Sequence, residues 1–113
     1  MPLPKYDDIH LPLLKLIHYN SISSIKDAVI KLEREFDLTE EDLSEKVQSD
    51  VNKFYSQVNF SKKRLTDAGL LFRGVKPYRS TDEAKRLLRK KPKKISNSDI
   101  NTMIKKAETK KSN

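Results

Sequence analysis

The stretch NFSKKRLTDAGLLFRGVKPYRST, residues 59–81, begins as a cation-rich helical pattern, passes through Ala-Gly, and continues as a short strand-like piece that carries more Arg and Lys. Working back from it, Phe54, Val58, Ser61, Leu65 and Ala68 fall within one arc of a 3.6-residue helix, which predicts a helix over residues 51–68. Gly69 is then the natural left-handed stop. The opposite face of that helix holds Tyr55, Ser56, Asn59, Lys62, Lys63 and Thr66, all hydrogen-bonding or cationic, without a carboxylate among them; Asp67 sits at its edge. Past the stop, residues 70–73 read as a strand, 74–77 as a turn and 78–80 as a returning strand, so residues 70–80 are expected to form a small two-stranded β-hairpin.

The rest of the chain reads as helices that could support this pair. A first helix over residues 6–19 carries Ile9, Leu13, Leu16 and Ile17 on one side, with Asp7 or Asp8 placed to cap it and Pro12 tolerable only near its first turn. A second has a capping signature in Ser24 and Asp27, and its stripe of Ile25, Ala28, Val29, Leu32 and Phe36 follows helical spacing. Thr39 caps a third, acidic segment, TEEDLSEKVQS, in which Leu43 and Val47 offer only a narrow apolar stripe. A helix starting after Ser80 or Thr81 carries Ala84, Leu87 and Leu88 and runs out in RKKPKK at residues 89–94, where Pro92 ends it. Finally Ile100, Met103, Ile104 and Ala107 stand at helical spacing behind Ser98, an amphipathic helix over about residues 98–109 that is too short to be stable in water without a surface to lie on. There is no internal repeat.

At 113 residues the chain is one domain with at most an extension, read as residues 1–90 and a basic extension over 91–113. A chain of this size buries roughly two-thirds of its unfolded surface, enough for a core of its own. It has no cysteine, and His10 and His18 alone cannot make a metal site, so no metal or other cofactor is expected. No apolar run approaches the roughly 20 residues of a membrane span, which gives an expectation of a cytoplasmic, nucleoid-associated protein. The charge of +8 is unevenly spread. Residues 1–61 hold 7 Lys and Arg against 11 Asp and Glu (−4), residues 62–94 hold 13 against 3 (+10), and residues 95–113 hold 4 against 2 (+2). A basic face this localised is the electrostatic footprint of a polyanion binder.

Helices followed by a basic hairpin, with the helix before the hairpin presenting a polar and cationic face, describe a winged helix-turn-helix with a basic C-terminal helical tail. In such a fold the recognition helix lies in the major groove and the wing meets phosphates or the minor groove. Lys62, Lys63, Arg73, Lys76 and Arg79 would then cluster because all face one duplex and release its counterions together. The sequence also resembles the N-terminal winged-helix domain of Mrr-type restriction endonucleases, which cut modified DNA. The resemblance rests on MPLPKYDDIHLPLLKLI at the start, IKDAVIKLEREFDLTEED in the middle and VNFSKKRLTDAGLL at the recognition helix, and covers residues 1 to about 88 in order. It implies duplex binding through the helix holding Ser56 to Leu65 and through the following hairpin. Phe60 stands where the family usually has Trp, and Gln57 where Arg is common. In the family a nuclease domain follows this module; the residues beyond 88 here are too few for one, so the expectation is a protein that is not an enzyme.

Each of these readings has a plainer counterpart. Lys62, Lys63 and Arg64 also suit a solvated helix face, and Asn59, able to pair bidentately with adenine, also suits an ordinary surface. Phe60 is expected to pack under the wing or against the third helix. The RKKPKK run, with Lys90 and Lys91, reads as a phosphate-tracking arm or a nuclear import signal. His10 and His18 are expected to pack or face solvent. Asp42, Glu45 and Asp50 could suggest a metal or general-acid group, but carboxylates on one short exposed helix rarely do catalysis. The functional expectation is therefore a non-enzymatic duplex-DNA-binding protein, a transcriptional regulator or a targeting module related to restriction systems. Tyr55, Ser56, Asn59 and Thr66 would approach base edges. The alternative is a protein-interaction or dimerisation module in which Ile100, Met103 and Ile104 dock a second copy; membrane binding is disfavoured, because no large apolar face accompanies the cations.

Overall fold

The computed structural model describes residues 5–38 and 53–111. They form five helices: α1 (Tyr6–Tyr19), α2 (Ile25–Glu35), α3 (Lys53–Asp67), α4 (Asp82–Arg89) and α5 (Asn97–Lys111). The fold is mainly α. The acidic segment beginning at Thr39, with Asp42, Glu45 and Asp50, and the first two residues expected in the recognition helix lie outside the described residues.

The helix ends follow from local side-chain chemistry. Ser24 caps α2 by accepting from the Asp27 N–H at 3.1 Å, and Thr81 caps α4 by accepting from the Ala84 N–H at 3.3 Å. At α5 the cap is Ser96 rather than the expected Ser98: Ser96 Oγ accepts from the Asp99 N–H and the Asp99 carboxylate accepts from the Ser96 N–H, both at 3.1 Å, a reciprocal capping box. No side chain caps α1; Asp7 and Asp8 lie instead in its first turn, where negative charge opposes the helix dipole favourably. The helix runs on through Pro12. The end of α3 is a Schellman motif, with Leu70 N–H donating to Leu65 O and Gly69 N–H to Thr66 O, each at 3.0 Å. It requires the φ of +83° that Gly69 supplies without steric cost.

The core is organised around α3. Phe54, Val58, Ser61 and Leu65 are fully buried and Ala68 nearly so, which is the expected arc. Both α1 and α2 pack on this face, α5 packs on α3, and α4 packs on α1. From α1 come Ile9, Leu11, Leu13, Leu14 and Ile17; from α2, Ala28, Val29 and Leu32; Phe36 meets Phe54 edge-on, with ring centroids 6.2 Å apart. The C-terminal segment adds Ile95 and Ile100, so the surface that α5 needs is this core. Ile100 is fully buried and Met103 and Ile104 are half-buried against the same cluster. The stripe expected to receive a second copy is therefore turned inward, at Ile100 completely.

His10, expected only to pack or face solvent, is fully buried between three helices. Its Nε2–H donates to Asn97 Oδ1 at 2.7 Å and its Nδ1 accepts from the Ser61 hydroxyl at 2.7 Å, while the Asn97 backbone N–H donates to Asp7 Oδ1 at 2.7 Å. Both ring nitrogens are thus satisfied in one neutral tautomer. Burial holds the imidazole below its ordinary pKa; the Asn97 bond and Asp7 act the other way, and Arg64 adds to the lowering. Because the unfolded state takes up the proton first, this contribution to stability is complete above the ordinary histidine pKa of about 6.5 and is lost as pH falls below it. Urea titrations from pH 7.5 to pH 5 should show stability falling with acid, with the His10-dependent part of the slope absent in His10→Ala. That variant should itself lose about 2–4 kcal/mol at pH 7.5, since it leaves a cavity and orphans the Ser61 and Asn97 groups.

Candidate nucleic-acid interface

Because α3 turns one face fully into the core, its other face is fixed relative to the rest of the chain. Tyr55, Asn59 and Lys63 are exposed, and Ser56, Lys62 and Thr66 are partly so. These six occupy one side of the helix by their spacing. Thr66 also bonds back through its hydroxyl to Lys62 O at 2.8 Å. Phe60 lies between this face and the core; it meets Tyr6 of α1 edge-on at 5.2 Å and remains 44% exposed, so its contact is with the start of α1 rather than with the wing.

The loop after α3 returns antiparallel, but among the described residues it is a single bridge between Leu71 and Ser80, not two strands. Phe72 N–H donates to Arg79 O at 2.9 Å and Thr81 N–H to Leu70 O at 3.0 Å, flanking that bridge. At the next hydrogen-bonded pair, residues 74 and 77, Pro77 has no N–H to give, while the Tyr78 N–H points to the other side of its arm and donates to Ile22 O at 2.7 Å. The ladder stops there for want of donors. What it loses in pairing the loop recovers in anchors: Thr81 Oγ1 donates to Gly69 O at 2.6 Å, and His18 Nδ1 lies 2.6 Å from Ser80 Oγ in a hydrogen bond.

Two contacts bind the loop to the outward side of α3. Lys62 Nζ stands 4.4 Å from the centroid of the Tyr78 ring, and Arg73 Nη2 meets Asp67 Oδ1 at 2.7 Å. Tyr78 also lies close enough to Tyr55 to be influenced by it: burial first, and Tyr55 second, raise its pKa. Helix and loop therefore meet at the Lys62–Tyr78 contact. Tyr78 was not among the residues marked from sequence, although an aromatic within a basic loop is a fair signal for a cation partner. Lys76 and Arg79 are exposed along the loop.

Lys90 and Lys91 are placed elsewhere. Lys90 borders a groove between α4 and α5 with Arg86, Leu87, Met103 and Lys106, and Lys91 a depression with Lys15, Tyr19 and Leu88. Neither is lined by a residue of the outward α3 face. The end of the basic run turns back to α1, with Lys94 Nζ 3.6 Å from Asp8 Oδ1. Among the described residues there is no group of three or more His, Cys, Asp or Glu that could hold a metal ion, and no helix long and apolar enough to cross a membrane.

The profile of the Mrr N-terminal domain matches residues 6–90, most of the chain. The chain belongs to the Mrr N-terminal domain family. That match spans α1 to α4 and the loop, and so includes the α3 face; α5 follows it. No curated protein and no solved structure matches the chain. The family assignment makes this a domain of the kind associated with restriction systems.

The Lys62–Tyr78 contact is the measurable link between helix and loop. A double-mutant cycle on Lys62→Met and Tyr78→Leu, read by thermal or urea unfolding, should give a coupling of about 0.5–1 kcal/mol, the range for a partly exposed cation over an aromatic face. A coupling near zero would mean that the ammonium is free of the ring in solution.

Proposed function

We propose that this Mrr N-terminal domain binds duplex DNA as a winged helix, with α3 as its recognition helix and the loop over residues 70–80 as a minimal wing. The observation that carries the reading is the face of α3 opposite the core: six hydrogen-bonding or cationic side chains, no carboxylate, and a basic loop tied down beside it. On this reading Tyr55, Ser56, Asn59 and Thr66 approach base edges in the major groove, and Lys63, Lys76 and Arg79 hold phosphates. Lys62 and Arg73 have a second duty. Each is engaged with a neighbour within the chain, so they aim the loop as well as contribute charge. Lys90 and Lys91 would add only a long-range field unless the duplex extends past α4.

Residues 1–90 are then the DNA-binding unit and residues 91–113 a basic extension whose helix buttresses α3 from behind. The role is that of a non-enzymatic reader of DNA in the cytoplasm, either a regulator of transcription or a targeting module of a restriction system. Dimerisation through the C-terminal stripe has less to stand on, because Ile100 is already within the core.

Fluorescence anisotropy with a random duplex and a matched single strand at several salt concentrations tests the reading. The duplex should be preferred, and affinity should fall steeply as salt rises. Lys63→Ala should weaken all duplexes and reduce the magnitude of the log–log salt slope by about 1, whereas Asn59→Ala should leave the slope unchanged and narrow the gap between a selected site and random DNA. If both variants bind as the parent does, α3 is not the recognition helix.

A further inference from the structure

The loop at residues 71–80 carries an apolar tip that the fold does not use. Phe72 is 49% exposed and Val75 37% exposed. A single exposed apolar residue is ordinary on a protein surface. The setting of this one is not. Phe72 pairs directly with Arg79 across the antiparallel turn, so the two side chains leave the same face of the loop, and both are exposed. Lys76 is exposed on the same loop, and Arg73 is fastened to Asp67 at the end of α3. An aromatic ring is thus presented beside Arg79, on a loop that also carries Lys76, immediately beyond the proposed recognition helix.

The base beneath it is stiff. Phe72 N–H is bonded to Arg79 O, Tyr78 N–H to Ile22 O and Thr81 N–H to Leu70 O, and Leu70 and Leu71 are anchored in the core. Lys62 over Tyr78 fixes the returning arm. These bonds fix the backbone from which the ring is presented. Side chains of this kind, an apolar wedge beside an arginine, are what minor-groove binders use to part a base step while the cation follows the phosphates or the groove floor.

We infer that Phe72 is a minor-groove wedge, which enters between two base pairs beside the site read by α3 and kinks the duplex, with Arg79 holding the groove alongside. The inference rests on the DNA-binding reading and deepens it. It adds a form of selectivity that requires no base contact: pyrimidine–purine steps unstack most cheaply, so a TA or CA step at the point of entry is preferred over a stiff one.

The test uses the full chain, with duplexes carrying donor and acceptor dyes at their ends and 2-aminopurine beside a single TA step within the site selected for this protein. Binding should raise the 2-aminopurine emission and shorten the end-to-end distance, and replacing the TA step by GC should weaken binding about tenfold. Phe72→Ala should abolish the emission change and the bend and bring the two duplexes within about twofold of each other, whereas Phe72→Leu, still an apolar wedge, should retain much of the bend. Circular dichroism shows whether each variant is folded, and little change is expected because the side chain lies outside the core. A duplex that is bound but stays straight, or one bent equally by Phe72→Ala, overturns the wedge and leaves the DNA reading standing. No duplex binding by the parent chain overturns both. A parent dimer by light scattering that Phe72→Ala converts to monomer, with no change in DNA geometry, would make the tip a protein contact instead.

Discussion

The hydrogen bond from Ser61 to His10 fixes which way α3 faces. Ser61 is a polar residue in the middle of an apolar stripe, and burying its hydroxyl unpaired would cost on the order of 1–3 kcal/mol. His10 accepts that hydroxyl and passes its own N–H to Asn97, whose backbone is held by Asp7. Three helices distant in sequence are joined at one buried ring. Apolar packing alone would tolerate small rotations of α3 about its axis; a directional bond at its centre does not. The rotation of α3 is what decides that Tyr55, Asn59 and Lys63 look outward together.

The same constraint makes α5 part of the working fold although it follows the family match. Asn97 begins that helix and completes the His10 network, Arg64 on α3 donates to Asn101, and Ile95 and Ile100 fill the core behind. At the other end of α3 the loop is pinned by Gly69, Thr81, Tyr78 and Ile22. The outward face is therefore held from both sides, by a buttress behind and a basic loop beside it. Electrostatics follow the same division: Asp67, the carboxylate at the edge of this surface, is engaged by Arg73.

Much of this was legible in the sequence wherever a periodic apolar stripe met a capping residue. The arc from Phe54 to Ala68, the Ser24 and Thr81 caps and the Gly69 stop all follow from spacing and from local bonds of a few residues' reach. The wing was over-read, because strand patterning counts side chains and passed over Pro77, which has no N–H for the hydrogen-bonded pair that would follow Phe72 and Arg79. His10 was under-read for a different reason. It shares spacing with Leu13, Leu14 and Ile17 and so sits on the buried stripe of α1, and a buried histidine needs partners; Ser61, a hydroxyl on the stripe of α3, was the matching signal. For the candidate site, the outward residues of α3 could be read from periodicity, but Lys90 and Lys91 could not be located, since their place depends on how α4 lies on α1.

The central claim is that the side of α3 turned away from His10 is the side that meets DNA. An amide chemical-shift titration of the labelled full chain with a short duplex tests it most directly. The account predicts that the changes gather on Tyr55, Asn59, Lys63 and Thr66 and on the loop from Phe72 to Arg79, while Ile9, Leu32 and Ile100 stay still. Changes concentrated on α2, or on the groove lined by Leu87, Lys90 and Met103, with α3 silent, would contradict it.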